Sequence, residues 1–253
     1  MKFRVLGCHG GEAPGFRATA FLIDDVFAID AGGIVGALPI TAQARLEAVA
    51  LSHIHLDHMK DLAMVADNTF ALRRSPLDVY GAETTVKHLK RHLFNDKLWP
   101  DFTRIPTASR PTIRLHSVSL EKDVRIGRLT IRAIPVFHTV ESVAFLVSDG
   151  SGTIAVSGDT GPTTRLWEVL NGTHDLRAVL VECSFPNALQ EVADLSGHFT
   201  PQTLKTELEK LANRDVPIFV YHLKPPFYGE VARELRGMGR RLRILKLADE
   251  FRF

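Results

Sequence analysis

The chain has 253 residues, of which 45% are hydrophobic, and its 31 basic and 29 acidic residues leave a formal net charge of +2. This composition supports a sizeable buried core and excludes a disordered chain, while the balanced charge argues neither for nor against a nucleic-acid partner. No stretch has the apolar length of a membrane span, and the N-terminus lacks the long apolar run of a signal peptide, so no membrane association is expected.

Short apolar runs separated by turn residues predict strands along the whole chain. They cover 2–7, 18–23, 26–30, 46–52, 77–81, 112–118, 129–136, 142–149, 153–159, 177–183 and 216–222. Asp24-Asp25 and Gly150-Ser151-Gly152 predict hairpin turns between neighbouring strands. Helical patterns are fewer, at 57–71, 83–93, 162–170, 201–213 and 226–238. Strands that come first in meanders and later alternate with helices predict an α/β fold of two sheets with external helices, in a single domain over residues 1–253.

The stretch LSHIHLDHMKDL at 51–62 follows one predicted strand and concentrates histidine around an aspartate. In an extended segment His53 and His55 point to the same side, and a helix starting near Asp57 would turn Asp57 and His58 toward the same pocket. Imidazole and carboxylate are suitable ligands for zinc, manganese or iron. A surface loop with scattered histidines is the alternative, and it does not account for the spacing.

The run H-x-H-x-D-H resembles the central motif of the metallo-β-lactamase superfamily, and the chain is similar to that superfamily over nearly its full length. Three further residues match its pattern in order, each after an apolar run: His138 in IPVFHT, Asp159 in AVSGDT and His222 in FVYHLKP. The resemblance implies a four-layer αββα sandwich and two divalent metal ions, with zinc preferred over manganese or iron. It implies one ion held by His53, His55 and His138, a second held by Asp57, His58 and His222, and Asp159 as the bridge.

Further stretches resemble one family within that superfamily, the class II 3′,5′-cyclic-nucleotide phosphodiesterases. They are HLFNDKLWPDFT at 92–103, SGDTGP at 157–162, ECSFPN at 182–187, SGHFTP at 196–201 and HLKP at 222–225. A bridging aspartate points toward phosphoester chemistry. The resemblance implies hydrolysis of 3′,5′-cyclic AMP, with cyclic GMP as an alternative, to the 5′-monophosphate by a hydroxide that bridges the two metals.

Other residues receive roles around this centre. Asp57 is counted as catalytic as well as a ligand, and His198 in SGHFTP would protonate the departing 3′ oxygen, with capping or packing of the following helix as the alternative. Asp30 in FAIDAGG and Glu182 in ECSFPN would orient ligands from behind, although a turn aspartate explains Asp30 equally well.

The segment near 83–110 is expected to be an insert that covers the active site. Within it, Phe94, Asn95 and Trp99 would bind a purine base, with Thr160 as a further substrate contact. Packing of the insert against the core explains the same aromatic residues equally well.

Two other functions fit parts of the sequence. A tRNA 3′-end endonuclease of the ribonuclease Z type would share the ligands, but its long tRNA-gripping arm has no counterpart, and its His-Glu-Ala-Thr motif appears as Val181-Glu182-Cys183-Ser184. A non-catalytic nucleotide-binding protein on the same fold is disfavoured by the intact ligand set. Cys8 and Cys183 form no CxxC pattern, which favours a reducing, cytoplasmic setting. A nucleic-acid partner is not expected, and a homodimer is an open alternative.

Overall fold

The strands of the computed structural model, which describes residues 1–238 and 242–253, are short and mostly buried. They are β1 (Lys2–Gly7), β2 (Ala20–Ile23), β3 (Phe27–Ile29), β4 (Ala48–Ala50), β5 (Leu77–Gly81), β6 (Pro106–Thr107), β7 (Arg110–Pro111), β8 (Ile113–Ser117), β9 (Asp123–Ile126), β10 (Leu129–Val136), β11 (Ser142–Ser148), β12 (Thr153–Val156), β13 (Leu176–Glu182), β14 (Ile218–Tyr221), β15 (Leu242–Ile244) and β16 (Glu250–Arg252).

The helices connect these strands and are short as well. They are α1 (Ile40–Gln43), α2 (Leu56–Met59), α3 (Asp61–Thr69), α4 (Glu83–His88), α5 (Arg165–Asn171), α6 (Gln190–Ser196), α7 (Pro201–Leu208) and α8 (Tyr228–Arg236). A π-helical turn at Leu89–Leu93 continues α4, and 3₁₀ turns lie at Asn187–Leu189 and Pro225–Phe227. No helix in the described ranges is both long and apolar enough to cross a membrane.

Two seven-stranded sheets carry the fold. The first has the order β16-β1-β2-β3-β4-β5-β8 and the second the order β15-β14-β13-β12-β11-β10-β9. Strands β3, β4, β5 and β8 are parallel to one another, as are β12 to β15, while the remaining neighbours are antiparallel. Asp24 and Asp25 join β2 to β3 with φ of 51° and 63°, the left-handed values that a tight hairpin needs, so this predicted turn is confirmed.

Three apolar cores separate the layers. The inner core contains Phe21 of β2 and Phe145 of β11, which come from different sheets. One outer core packs α3 on the first sheet, and the other packs α5, α7 and α8 on the second, around Trp167. Helix, sheet, sheet and helix therefore follow one another, and the predicted four-layer αββα sandwich is confirmed.

Candidate metal centre

The predicted metal ligands lie just beyond the carboxyl ends of strands. His53 follows β4, His138 follows β10, Asp159 follows β12 and His222 follows β14. Because these strands run in the same direction within their sheets, their ends lie at one edge of the sandwich. The short helix α2 begins directly after His55 and turns Asp57 and His58 toward the same edge.

The side chains of the predicted ligand set form two adjoining groups. Possible ligand atoms lie within 4.8 Å of one another in the group His53, His55 and His138, and likewise in the group Asp57, His58, Asp159 and His222. In the first group His138 Nε2 faces His55 Nδ1 at 3.1 Å, and in the second His58 Nε2 faces His222 Nε2 at 3.1 Å.

The carboxylate of Asp159 lies between the two groups. Its Oδ2 is 3.2 Å from His58 Nε2 and 3.3 Å from His222 Nε2 in the second group. The same oxygen is 3.7 Å from His53 Nε2 in the first group. One carboxylate therefore reaches both groups, which is the arrangement that a bridging ligand requires.

Two buried atoms without a hydrogen-bond partner among the described residues indicate whether this donor set fits a cation. His53 Nε2 and Asp159 Oδ1 are buried and have no hydrogen-bond partner in the part of the chain that the structure describes. Buried polar atoms are nearly always partnered, because an unsatisfied one costs about 1–3 kcal/mol. Divalent cations bound by nitrogen and oxygen donors would satisfy both atoms, so the residues present fit the metals that the sequence implies.

Hydrogen bonds behind the first group fix which imidazole nitrogen faces inward. Ser52 Oγ donates to Asp30 Oδ2 over 2.9 Å, so His53 Nδ1, 3.0 Å from that hydroxyl, must donate to it. His138 Nδ1 donates to the Gly197 carbonyl over 2.9 Å. Both rings therefore present an unprotonated Nε2 toward the centre, as a metal ligand must.

Asp30 and Glu182 orient the histidines of the second group in the same way. Asp30 Oδ2 accepts a bond of 2.8 Å from His58 Nδ1. Glu182 Oε2 accepts from Ser184 Oγ over 2.9 Å, and that hydroxyl in turn accepts from His222 Nδ1 over 2.9 Å. Both acids are fully buried, and each is linked, Asp30 directly and Glu182 through Ser184, to the Nδ1 atom of a predicted ligand histidine.

The backbone holds two of these residues in an uncommon conformation. Asp30 has a φ of 58° and His222 a φ of 68°, in the left-handed region that non-glycine residues seldom occupy. Such a residue typically costs about 1–3 kcal/mol and tends to occur at functional sites. The backbone of Gly197 packs closely against His138, since a Cβ on this glycine would lie only 3.0 Å from His138 Cα.

Electrostatic effects favour the metal-binding protonation states of Asp159 and His53, whereas the Asp159 and Asp30 carboxylates outweigh burial and raise the pKa of His58. Burial opposes ionisation of Asp159, but the neighbouring His222 and His58 imidazoles outweigh it and hold the pKa of that carboxyl well below its usual range. Burial, reinforced by neighbouring His58, holds the pKa of His53 well below its usual value. An ionised carboxylate and a neutral imidazole are the forms that coordinate cations.

His198 adjoins the centre on the loop between α6 and α7. Its Nδ1 donates to Glu182 Oε1 over 2.8 Å, and its ring stacks on His222 with centroids 5.4 Å apart. Burial lowers the pKa of His198, but the Glu182 carboxylate outweighs burial and raises it. No hydrogen bond of its Nε2 is found within the described ranges, so that nitrogen can face a substrate.

The predicted base-binding residues do not join the centre. Phe94 is 1% exposed within the outer core of the first sheet, and Trp99 packs against the same core. The side-chain oxygen of Asn95 accepts from the backbone of Lys97 and Leu98. Within the described residues no recorded contact links these three to the histidines, and Phe94 and Trp99 pack against the core, so their binding of a base stays a prediction.

Thr160 is fully buried as well, and its hydroxyl donates to the Gly161 carbonyl over 2.7 Å. Its backbone N–H donates to Glu182 Oε1 over 3.2 Å. In this structure Thr160 therefore fixes the loop that carries Asp159, and its contact with substrate stays a prediction.

For three residues near the centre, the sequence predicted no role. Ser52 and Ser184 each link a buried acid to a predicted ligand histidine, and Lys224 places Nζ 5.3 Å above the Phe185 ring. Ser52 and Ser184 each lie within two residues of a predicted site residue at a strand end, which is the signal that could have identified them. Lys224 lies two residues beyond His222 and adds positive charge beside the centre.

Comparison with known proteins agrees with this geometry. Residues 41–226 match the family described as cAMP phosphodiesterases class-II. A probable 3′,5′-cyclic-nucleotide phosphodiesterase of Yersinia pestis is 29% identical, with 91% of this chain and 80% of that protein aligned. A 3′,5′-cyclic-nucleotide phosphodiesterase of Aliivibrio fischeri is 27% identical, with 87% and 80% aligned.

Solved structures share the fold. Unliganded yeast PDE1 superposes with a TM-score of 0.83 at 18% identity, covering 98% of each chain. The metallo-β-lactamase fold protein YhfI from Bacillus subtilis superposes with a TM-score of 0.79 at 17% identity, covering 99% of each chain. The metallo-β-lactamase fold predicted from the sequence is therefore confirmed.

Proposed function

The chain belongs to the family of class-II cAMP phosphodiesterases, and from that membership we propose that it hydrolyses 3′,5′-cyclic AMP to 5′-AMP with two bound divalent metal ions. The observation that carries this proposal is the Asp159 carboxylate, which approaches histidines of both groups. The cyclic-nucleotide substrate is supported by the names of the Yersinia and Aliivibrio relatives. Cyclic GMP is a second substrate of the same class.

The proposed ligands divide between the two ions as the two side-chain groups suggest. His53, His55 and His138 would hold one ion, Asp57, His58 and His222 the other, and Asp159 would contact both. When bound, the ions supply an activated water and positive charge that neutralises the phosphate. Zinc is the proposed metal, because a site of three histidines with nitrogen donors suits it.

Residues of the chain would position the substrate and move the proton. Asp57 is 29% exposed at its side chain and approaches His222 Nε2 at 3.3 Å, so it would hold a metal and still face the substrate. His198 would give the proton at Nε2 to the departing 3′ oxygen, while Glu182 holds its Nδ1. Asp30 and Glu182 would keep the ligand rings in position.

We further propose that residues 1–253 form a single domain and that the segment near 83–110 is an insert that covers the active site. A cytoplasmic location is supported by Cys8 and Cys183, which are free and buried. Burial raises the pKa of Cys8 to about 12, so this thiol is no nucleophile at neutral pH. A homodimer is retained as a proposal that solution sizing would test.

Product analysis tests the proposed reaction. Metal-loaded protein is incubated with 3′,5′-cyclic AMP, 3′,5′-cyclic GMP, 2′,3′-cyclic AMP and a precursor tRNA, and the products are separated by chromatography. We expect 5′-AMP from 3′,5′-cyclic AMP, because expulsion of the 3′ oxygen from phosphorus leaves the phosphate on the 5′ oxygen. Faster processing of the precursor tRNA, or 3′-AMP as the only nucleotide product, would show that the assignment is wrong.

Asp30→Asn is expected to weaken metal binding by roughly 10–100-fold, the usual cost of losing a residue that orients a ligand. The amide would place a donor where Asp30 now accepts from Ser52 and His58. Metal affinity is measured by competition with a chelator. Asp78→Asn is the matched control, because Asp78 accepts from His116 over 2.8 Å away from the centre. Equal affinity in the two variants would exclude the orienting role.

A further inference from the structure

Phe137 is an aromatic ring that the chain leaves open to solvent beside the metal centre. Its exposed fraction is 56%, and it lies between β10 and the proposed ligand His138. Single exposed apolar residues are common on protein surfaces, so exposure alone does not indicate a function. Among the described residues, the other exposed large aromatic side chain is Phe70, which is 44% exposed at the end of α3.

The backbone around Phe137 ties it to the loop that carries Asp159. The Phe137 carbonyl accepts from the Gly161 N–H over 2.8 Å. Its ring lies against Gly161, because a Cβ on that glycine would be 2.9 Å from the ring Cδ1. A glycine at 161 therefore leaves room for the ring to lie against the backbone two residues beyond the proposed bridging ligand.

The residue that follows Phe137 in the chain, His138, belongs to the proposed centre. The His138 ring has its centroid 4.9 Å from that of His55 and 5.0 Å from that of His198. Leu56, which separates His55 from Asp57, is 64% exposed and adds a second apolar side chain beside His55. Two exposed apolar side chains, Phe137 and Leu56, thus directly neighbour proposed ligands in the chain, and His198 lies beside one of those ligands.

A cyclic nucleotide carries a flat aromatic base that needs such a surface, since bases bind proteins by stacking on aromatic side chains. The aromatic residues predicted for this role at 92–103 pack elsewhere in this structure, because Phe94 is buried in the outer core and Trp99 packs against it. We propose that Phe137 is the stacking platform for the nucleobase and makes the enzyme favour cyclic nucleotides over phosphodiesters that lack a base. This inference rests on the proposed function.

Two substrates separate base recognition from chemistry. They are 3′,5′-cyclic AMP and a 3′,5′-cyclic ribose phosphate without a base. Phe137→Ala is expected to lower kcat/KM for cyclic AMP about tenfold, through KM, and to leave the base-free substrate unchanged. Phe137→Tyr, which keeps the ring, should restore the loss. Phe70→Ala is the matched control, because it removes an exposed ring away from the centre.

A binding measurement keeps this test separate from the test of the proposed reaction. Calorimetry compares the affinities of the metal-loaded wild type and Phe137→Ala for AMP and for ribose 5-phosphate. Preference for AMP in the wild type and its loss in the variant would support the platform even if cyclic AMP were not turned over. The inference is overturned by equal losses on both substrates, by an unchanged preference for AMP, or by a change of oligomeric state, which would assign the ring to an interface between two copies.

Discussion

Replacing Asp159 with alanine is expected to abolish turnover, lowering kcat by at least about 10³-fold. The effect should exceed that of removing a single hydrogen-bond donor to the transition state. The Asp159 carboxylate approaches His53, His58 and His222 and is 1% exposed. Its removal would take away the one ligand that the two proposed ions share and leave their charge uncompensated in a buried site. Bound metal per chain should therefore fall together with the rate.

The metal content of Asp159→Ala is measured by emission spectrometry after dialysis, and its fold by circular dichroism. His174→Ala is the control, since His174 is exposed and belongs to neither group of proposed ligands. It should keep both metal and activity. Retention of two metals and of turnover in Asp159→Ala would exclude the bridging role.

Replacing His198 with alanine is expected to lower kcat on 3′,5′-cyclic AMP by roughly 10²–10⁴-fold, the usual contribution of a positioned proton donor. The Glu182 carboxylate holds His198 Nδ1 at 2.8 Å, which directs Nε2 away from that acid. The departing 3′ oxygen is an alkoxide and must gain a proton. A phosphodiester with an activated aryl leaving group departs without one, so its hydrolysis should be largely spared.

His116→Ala provides a matched control for this variant, because His116 also pairs with an acid at 2.8 Å but lies away from the centre. The metal content of His198→Ala distinguishes a proton-donor role of His198 from a role as a metal ligand. Because His198, His138 and Asp159 could themselves hold an ion, loss of metal in His198→Ala would identify His198 as a ligand. Equal losses on the two substrates would exclude proton donation.

Much of the fold could be predicted because apolar runs mark buried strands. The runs at 129–136 and 77–81 correspond to β10 and β5 with the same bounds. By contrast, β15 and β16 have three residues each, and β16 exists because β1 pairs with it, Lys2 opposite Arg252. A pairing between the two ends of the chain leaves no local signal in the sequence. The helix predicted over 201–213 ends at Leu208 in the structure.

The proposed centre was predictable for a similar reason. The predicted ligands His138, Asp159 and His222 follow strands whose carboxyl ends lie at one edge of the sandwich, so they could be placed from their local context. Ser52 and Ser184 act through neighbours brought close by the fold, which their own context does not specify. The direction of an aromatic side chain is equally hidden, because Phe94 faces the core and Phe137 faces solvent.

The most direct measurement is the initial rate of 5′-AMP formation from 3′,5′-cyclic AMP as metal is returned to metal-stripped protein, with bound metal determined in each sample. If the two groups of side chains each hold an ion, the stripped protein should be inactive and the rate should rise with bound metal up to about two ions per chain. Full activity in the stripped, chelator-treated protein, or the absence of 5′-AMP at full metal occupancy, would contradict a two-metal cyclic-nucleotide phosphodiesterase.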